Sequence, residues 1–586
     1  MLVYGDAERR DDPACMLERI AAGLEAAGRA QGVERHGMLV GALIEAGELA
    51  QGIADHDFAG NGGLDDRSPA SEAALALVRA LARRVARSWD AAFSPAADPD
   101  DRVPGALARV RSVALPPEIR PKQPEGFAHY AVYPEGFLAA ARRLPAGCST
   151  FVVGIRSIGT TLAAAAAEGC ASPSGVLTVR PKGHPFRRQV EVSPAVADSL
   201  SARADDVFAI VDEGPGLSGS SVVAAAGMLG EAGVAAERIH VLPSHPGGPG
   251  PEASPAVLAF WSRAPRHVVA FDDLVLRAPD RRHRLESWFA DVVGPGELLD
   301  ISGGAWRRHR PTPAAGPPPA HAWQERRKFL LRTAAGAFLL RFAGLGRIGA
   351  GKFAMARRLF AAGFVPEPLA LRHGFLLERW LDGARPLPAV VDRTALVDRL
   401  GRYLGFRARS FPAGGCEGAS VPALFAMLVH NAAAALGPDA AEAAEGWRPH
   451  LAPLDAARRP VLTDNRLHAW EWLVDGDRII KADALDHHAG HDLVGPQDVA
   501  WDIAGASVEF ALAADEEARL VAVVERDGGR AVDRRLLAFL RLCYPAFQLG
   551  YYATAGVGAS DAAERARLDA AADRYRGALR SAMRSA

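Results

Sequence analysis

Apolar residues recur at three-to-four spacing in CMLERIAAGLEAAGRA, HGMLVGALIEAGELAQGI and ASEAALALVRALARRVARSW, which predicts a helical region over 1–115. From about 116 to 300 the texture changes. Short apolar runs (CSTFVVGIRS, GVLTVRP, DVFAIVDEG, RIHVLPSHPGG) alternate with the helical stretches TTLAAAAAEG and SSVVAAAGMLGEAG. Strand, loop and helix in that rhythm predict a parallel α/β sheet. PTPAAGPPPA (311–320) suits neither helix nor sheet, so 301–322 is expected to be a stiff, extended linker between two halves. Over 323–586, WQERRKFLLRTAAGAFLLRFAG reads as a β-hairpin and KFAMARRLFAAG as a helix. The rest is mostly helical, with a short strand pair near 470–483. The expected fold class is multidomain, α/β plus α+β.

Composition narrows the partners. With 586 residues, three or four domains are expected, and 49% hydrophobic against 23% charged residues describes a core-forming chain. A net charge of −1 leaves no global field to hold nucleic acid or anionic lipid, so neither nucleic acid nor a membrane is an expected partner. Five dispersed cysteines without CxxC spacing argue against a disulfide framework or zinc knuckle. The start, MLVYGDAERRDDPAC, has no apolar signal core, and no run of about 18 uncharged apolar residues follows, so a cytoplasmic protein is expected. Only five lysines occur, Lys122, Lys182, Lys328, Lys352 and Lys481, so a lysine inside a motif stands out. In the helical region, Glu45, Glu48 and Asp55-His56-Asp57 have the look of a metal cluster, but a solvated face is the expected reading.

The strongest local signal is VFAIVDEGPGLSGSS (207–221) followed by an apolar helix. An apolar strand delivers two carboxylates to the carboxyl edge of the sheet, where open α/β sheets bind ligands. A small-residue turn then enters a helix N-terminus. The amides and hydroxyls of Ser218, Gly219, Ser220 and Ser221 suit a phosphate, and Asp212 and Glu213 suit ribose hydroxyls or magnesium.

This segment resembles the phosphoribosyl-diphosphate motif of type I phosphoribosyltransferases. Upstream, VVGIRSIGTT (152–161) takes the place of that family's diphosphate loop, and VRPKGHPFRR (179–188) that of its mobile flap. The order agrees over about 120–250. The Asp-Glu pair is followed by Gly214-Pro215 and the flap is arginine-rich, so base specificity does not carry over. The resemblance implies displacement of diphosphate from ribose C1. Arg156 and Ser157 would hold diphosphate, Lys182 and Arg187 would cover it catalytically, Asp212 and Glu213 would fix ribose or Mg2+, and Ser218 to Ser221 would hold the 5-phosphate. A binding-only sensor would use the same residues. His245 lies beyond the next strand, within reach of an acceptor.

After the linker, GAFLLRFAGLG (336–346), AAGFVPEPL (361–369) and GFLLERWLDG (374–383) follow the layout of a small-lobe hairpin, helix, strand and hinge. VLTDNRLH (461–468), IIKAD (479–483) and GPQDVAWDIA (495–504) come next. This order is similar to aminoglycoside-phosphotransferase-like kinases over about 325–586. The resemblance implies a two-lobed domain in which Asp464 is the catalytic base and Asp483 the metal ligand. Asn465 or His468 would be a second ligand, Arg341 would bind nucleotide, and Asp502 would stand on the buttressing helix. Leu-Thr-Asp replaces the usual HGD, Ala469 stands where an asparagine is expected, and Arg341 stands where a lysine is expected.

Three further patterns compete. GRIGAGKF (346–353) matches a P-loop except that Phe353 replaces the Ser or Thr. HHAGHD (487–492) offers transition-metal ligands, or else histidines paired with nearby aspartates. The clusters RRHR at 281–284 and 307–310 read as solvated basic surface. The expected function is bifunctional: Mg2+-dependent phosphoribosyl transfer joined to ATP-dependent phosphoryl transfer to a small molecule. The alternative is a regulatory phosphoribosyl-diphosphate-binding protein on a degenerate kinase-like scaffold. Phosphoribosyl diphosphate or ribosyl phosphate and ATP are the expected small molecules, and a homodimer is left open.

Overall fold

The computed structural model describes residues 9–94, 101–313, 316–322, 324–387, 392–414, 417–490 and 493–585. The helical expectation for the first region holds: helices Pro13–Arg29, Gly32–Gly60, Pro69–Asp90 and Val103–Ser112 follow one another. Asp12 and Ser68 cap the first and third of these by accepting backbone N–H groups, with a proline in the first turn of each. Helix Gly32–Gly60 is long and apolar enough to span a membrane by composition, yet 72% of its apolar window is buried. At Gly47 a Cβ would lie within 1.9 Å of Thr161 Oγ1, so glycine sets the close crossing with helix Ile158–Gly169.

The parallel sheet is also as expected. Strands β1 (Thr150–Ile155), β2 (Pro173–Val179), β5 (Val207–Val211) and β6 (Ile239–Leu242) run in the order β2-β1-β5-β6, every neighbouring pair parallel. Between them β3 (Lys182–His184) and β4 (Arg187–Gln189) form a separate antiparallel hairpin. A four-stranded parallel sheet is common to many α/β proteins and does not by itself single out a phosphoribosyltransferase fold.

The boundary at 300/301 needs correcting. Strand β7 (Gly296–Asp300) pairs antiparallel with β8 (Lys328–Thr333) and so joins the next sheet. With β9 (Gly336–Phe342), β10 (Pro368–Arg372) and β11 (Phe375–Arg379), that sheet has the order β10-β11-β9-β8-β7. The described part of the proline-rich stretch is no free spacer. Arg307 pairs with Glu564 at 2.6 Å, the Ala320 N–H donates to the same carboxylate at 2.6 Å, and Arg310 stacks 3.6 Å above the Trp380 ring. The P-loop match is also corrected, because GRIGAGK forms the opening turns of helix Gly346–Ala361, so no loop that could wrap a phosphate stands ahead of Lys352. A small sheet of β12 (Arg385–Pro386), β13 (Trp472–Asp475) and β14 (Arg478–Lys481) leads into the helical remainder.

The cores explain why the parts are not beads on a string. One continuous apolar core takes in Leu43 and Leu77 from the helical region, Val152 and Ala164 from the parallel sheet layer, and Phe329, Leu340 and Phe375 from the antiparallel sheet. Polar contacts reinforce it. Arg156, 5% exposed, pairs with Asp55 at 3.0 Å and with Asp65, while Arg180 donates to Asp55 at 2.8 Å and to the Arg156 carbonyl at 2.8 Å. Burial pushes Arg156 down to about 10, and against the burial that would raise Asp55, Arg180, Arg156 and Gln51 together hold it below its usual value. Asp55 and its neighbours are therefore not a solvated face: Glu48, 3% exposed, pairs with Arg9 and Arg347, and Glu45 pairs with Arg19 at 2.6 Å. Removing one partner of a buried ion pair strands the other. Asp55→Ala is expected to lower unfolding free energy by about 3 kcal/mol, the low end for such a loss because Asp65 still faces Arg156, as read by urea unfolding. A loss below about 0.5 kcal/mol contradicts this account of the junction.

Candidate functional site

A cavity of about 200 Å³ lies between the antiparallel sheet and the helical remainder. Strand alternation puts charge into it. On β8 and β9, Lys328 and Arg341 stand opposite each other. Arg341, 3% exposed, bonds Glu378 of β11 at 2.8 Å and Asp483, just after β14, at 2.8 Å, with Asp486 3.7 Å away. Lys328 lies 3.6 Å from Asp483 and 3.3 Å from Glu325. From helix Gly346–Ala361, buried Lys352 pairs with Asp486. Burial would raise Asp483, but Lys328, His487 and Arg341 hold it well below the usual carboxylate range. Glu378 goes the other way, up to about 7, because burial and the Asp483 and Asp486 charges outweigh Arg341.

The loop behind this wall is clamped from below. Helix Val499–Glu509 carries Asp502, whose two carboxylate oxygens accept the backbone N–H groups of Asp464 and Asn465, each at 2.8 Å. This is the buttress expected at Trp501-Asp502. Asn465 takes the left-handed region at φ +61°, and its amide donates to the His487 and Gly495 carbonyls at 3.0 and 2.9 Å. The outcome differs from the expectation for Asp464. Its side chain is sealed from solvent, accepts from the Tyr403 hydroxyl, and lies 3.4 Å from Lys481 and 3.6 Å from His487.

From this loop Arg466, His468, Trp470 and Glu471 reach the cavity. Arg466 donates to the Tyr551 hydroxyl at 2.5 Å, and Glu471 accepts from Lys481 at 2.5 Å. Beyond the predicted Arg341, Asp483 and His468, the cavity wall includes Lys328, Glu378, Trp380, Arg466 and Glu471. Lys328 carried a usable signal, being one of five lysines. Arg466 and Glu471 carried none, because nothing local tells which side of a loop faces the cleft. Trp306, Arg310, Pro313 and Pro318 to His321 of the chain itself also line the cavity, with Arg310 on Trp380 and its guanidinium bonded to the Leu381 carbonyl.

Of the metal-type pattern HHAGHD, His487 lies 3.8 Å from Asp483 and 3.6 Å from Asp464, which fits pairing with aspartates. His491 and Asp492 lie outside the described residues.

The second constellation is assembled as its strand predicts, but its polar groups are already engaged. β5 carries Asp212 and Glu213 to the carboxyl edge, and Gly219 at φ +66° turns the chain into helix Ser220–Glu231. The hydroxyls of Ser218 and Ser220 donate to the Pro185 carbonyl at 3.2 and 2.9 Å, so the β3–β4 hairpin sits on the expected phosphate loop, with Ser221 in the helix's first turn. Lys182 pairs with Glu191 at 2.8 Å, Arg187 is exposed on β4, and the side chain of His245 lies against Gly214. Arg156 does not face this loop freely, because Asp55 and Asp65 hold it. Ser157 follows it through a cis peptide bond. The basic clusters are engaged too: Arg282 pairs with Asp280 at 2.6 Å, and His283 stacks on Trp89 with ring centroids 4.0 Å apart.

No protein-family profile matches the chain, and no curated protein matches it. Among solved structures it is similar to choline kinase LicA from Streptococcus pneumoniae, at 15% identity over 44% of this chain and 90% of that one, with a TM-score of 0.33. It is also similar to an ethanolamine kinase from Plasmodium vivax (12% identity, 52% and 89% covered, TM-score 0.32). A thermostable mutant of aminoglycoside phosphotransferase APH(4)-Ia is similar at 17% identity, with 51% and 99% covered and a TM-score of 0.27.

Burial pushes the Asp212 carboxyl up to about 7, only partly offset by the Glu213 N–H that it accepts. The native state therefore keeps a proton that the unfolded chain, with an ordinary carboxyl near 3.9, releases. Unfolding free energy falls as pH rises from about 4 to about 7. Asp212→Asn is expected to remove this contribution, so that the stability difference between about pH 5 and about pH 7.5 in urea unfolding shrinks relative to wild type. Equal pH slopes for the two proteins contradict it.

Proposed function

We propose that the charged cleft binds ATP with Mg2+ and transfers its terminal phosphoryl group to a small molecule. The observation that carries this reading is the convergence of Lys328 and Arg341 on the Asp483 carboxylate at the wall of one cavity, with Glu471 and Arg466 facing the same space. Phosphoryl transfer is chiefly positioning and charge neutralisation, and two fixed cations beside carboxylates supply both. Asp483 and Glu471 are hard oxygen donors of the kind Mg2+ takes, and they are the residues that would hold it. When bound, the ion draws charge from the phosphate oxygens. Lys328 and Arg341 would bind the phosphates. Asp464, sealed behind Lys481, acts here through position: it fixes Lys481, which in turn orients Glu471 and receives no substrate itself.

A second reading concerns the parallel sheet. The favouring observation is Asp212 and Glu213 at the carboxyl edge of β5, with the Ser218 and Ser220 hydroxyls at a helix N-terminus under the β3–β4 hairpin. We infer that this loop binds phosphoribosyl diphosphate once the hairpin lifts Pro185 away. Lys182 and Arg187 would meet the diphosphate, because Arg156 is committed to Asp55 and Asp65. Transfer of the phosphoribosyl group to an acceptor and a purely sensing role both begin with that binding.

Titration calorimetry tests both readings on one protein. ATP with Mg2+ is expected to bind the wild type at least about tenfold more tightly than Lys328→Ala or Asp483→Ala, a loss of about 1.4 kcal/mol. Phosphoribosyl diphosphate is expected to bind the wild type and to be lost in the Asp212→Ala/Glu213→Ala double variant alone. ATP affinity untouched by either cleft variant contradicts the first reading. Absence of phosphoribosyl-diphosphate binding contradicts the second.

A further inference from the structure

Far from the cleft, three side chains from distant stretches of sequence meet in the shared apolar core. They are His36 of helix Gly32–Gly60, Glu135 of helix Pro134–Ala141, and His373 in the turn between β10 and β11. The side chains of all three are 0% exposed. His36 Nε2 lies 2.7 Å and His373 Nε2 lies 3.3 Å from the same oxygen, Glu135 Oε1. Trp89, Phe93, Tyr133 and Trp288 wall the group with aromatic rings.

As a hydrogen-bonded network the group is incomplete. One carboxylate oxygen faces both rings, while Glu135 Oε2 and both ring nitrogens of His373 lack a hydrogen-bond partner among the described residues. Buried polar atoms without partners are uncommon and costly, and a carboxylate in an apolar pocket more so. The backbone also bears a cost to bring His373 there. His373 sits at φ +43°, a region that non-glycine residues rarely occupy, and its carbonyl accepts from the Tyr133 hydroxyl at 2.8 Å. On the facing helix, a Cβ at Gly37 would come within 3.1 Å of the His373 backbone, so the turn is pressed against the helix beside His36.

A cation between the three groups engages Glu135 Oε2 and His373 Nε2 at once, leaving only His373 Nδ1 of these atoms unpartnered. We propose that His36 Nε2, His373 Nε2 and the Glu135 carboxylate bind one divalent transition-metal ion of the zinc class. Two imidazoles and a carboxylate are a zinc-type donor set, and Glu135 Oε2 supplies a fourth donor when the carboxylate binds through both oxygens. The donor atoms lie within 4.8 Å of one another. Donors about 2.1 Å from a tetrahedral ion stand about 3.4 Å apart, so the 2.7 and 3.3 Å contacts to Oε1 need only a small outward shift. The outer contact fits as well: His36 Nδ1 lies 3.0 Å from Ser88 Oγ, which fixes the ring with Nε2 turned to the ion. Because all three side chains are 0% exposed, the centre is structural. It ties helix Gly32–Gly60, helix Pro134–Ala141 and the β10–β11 turn at one point.

The test is elemental analysis of the purified full chain after dialysis against a weak chelator, followed by replacement of the metal with Co2+ and visible absorption. One equivalent of zinc per chain is expected, with ligand-field bands in the cobalt form. His373→Gln is expected to lose both, and Asp483→Ala to keep both. Folded wild-type protein with no metal and no cobalt bands overturns the proposal. So does metal retained in His373→Gln but lost in Asp483→Ala, which would put the ion in the cleft. If His373→Gln does not fold, the wild-type metal content and cobalt spectrum decide alone.

Discussion

The cleft depends on a single carboxylate that water does not reach. Asp502, 1% exposed, spends both oxygens on the amides of Asp464 and Asn465 and so fixes the path of the loop that follows. Because the loop is held there, the Asp464 side chain turns inward to Tyr403 and Lys481, and Arg466 is the next residue to face the cavity. Lys481 in turn holds Glu471. A charged hydrogen bond at a buried site is strong in proportion to the cost of leaving either member alone, so each link stabilises the next. The opposite wall follows the same logic, with Arg341 tied at once to Glu378 and Asp483.

A second constraint is continuity. The helical region, the parallel sheet and the antiparallel sheet share one apolar core, and charged pairs are set where the regions meet: Asp55 with Arg156 and Arg180, and Glu48 with Arg347. Arg307 completes the union by bonding Glu564 near the end of the chain, while Arg310, Pro313 and Pro318 line the cleft. The cleft and the β5 loop are thereby parts of one packed body, and substitutions at the junction are felt through packing rather than through either site alone.

Much of this was legible in the sequence where the signal is local. Short apolar runs marked β1 and β5, a hairpin pattern marked β8 and β9, and three-to-four spacing marked the helices of the first region. Pairing between distant segments was not legible. β7 reads as an isolated apolar scrap until β8 provides its partner, and a proline-rich stretch looks like a spacer until Trp380 and Glu564 bind it. The P-loop pattern failed because a motif describes residue types, while its chemistry needs a loop that wraps the phosphate ahead of a helix, and here the same residues are already helix. Asp483 and Arg341 were legible through the resemblance of their segments, IIKAD and GAFLLRFAGLG, to those of aminoglycoside-phosphotransferase-like kinases. The inward turn of Asp464 depends on Asp502, nearly forty positions away, and on Lys481 beneath it.

The most direct test of the cleft as a phosphotransferase site is a crystal structure with Mg2+ and a non-hydrolysable ATP analogue. The account predicts phosphates beside Lys328 and Arg341, the metal ion on Asp483 and Glu471, and Arg310 displaced from or stacked along the Trp380 edge. A nucleotide bound elsewhere on the chain, or a cleft left empty at saturating analogue with Arg341 still closed on Asp483, would contradict it.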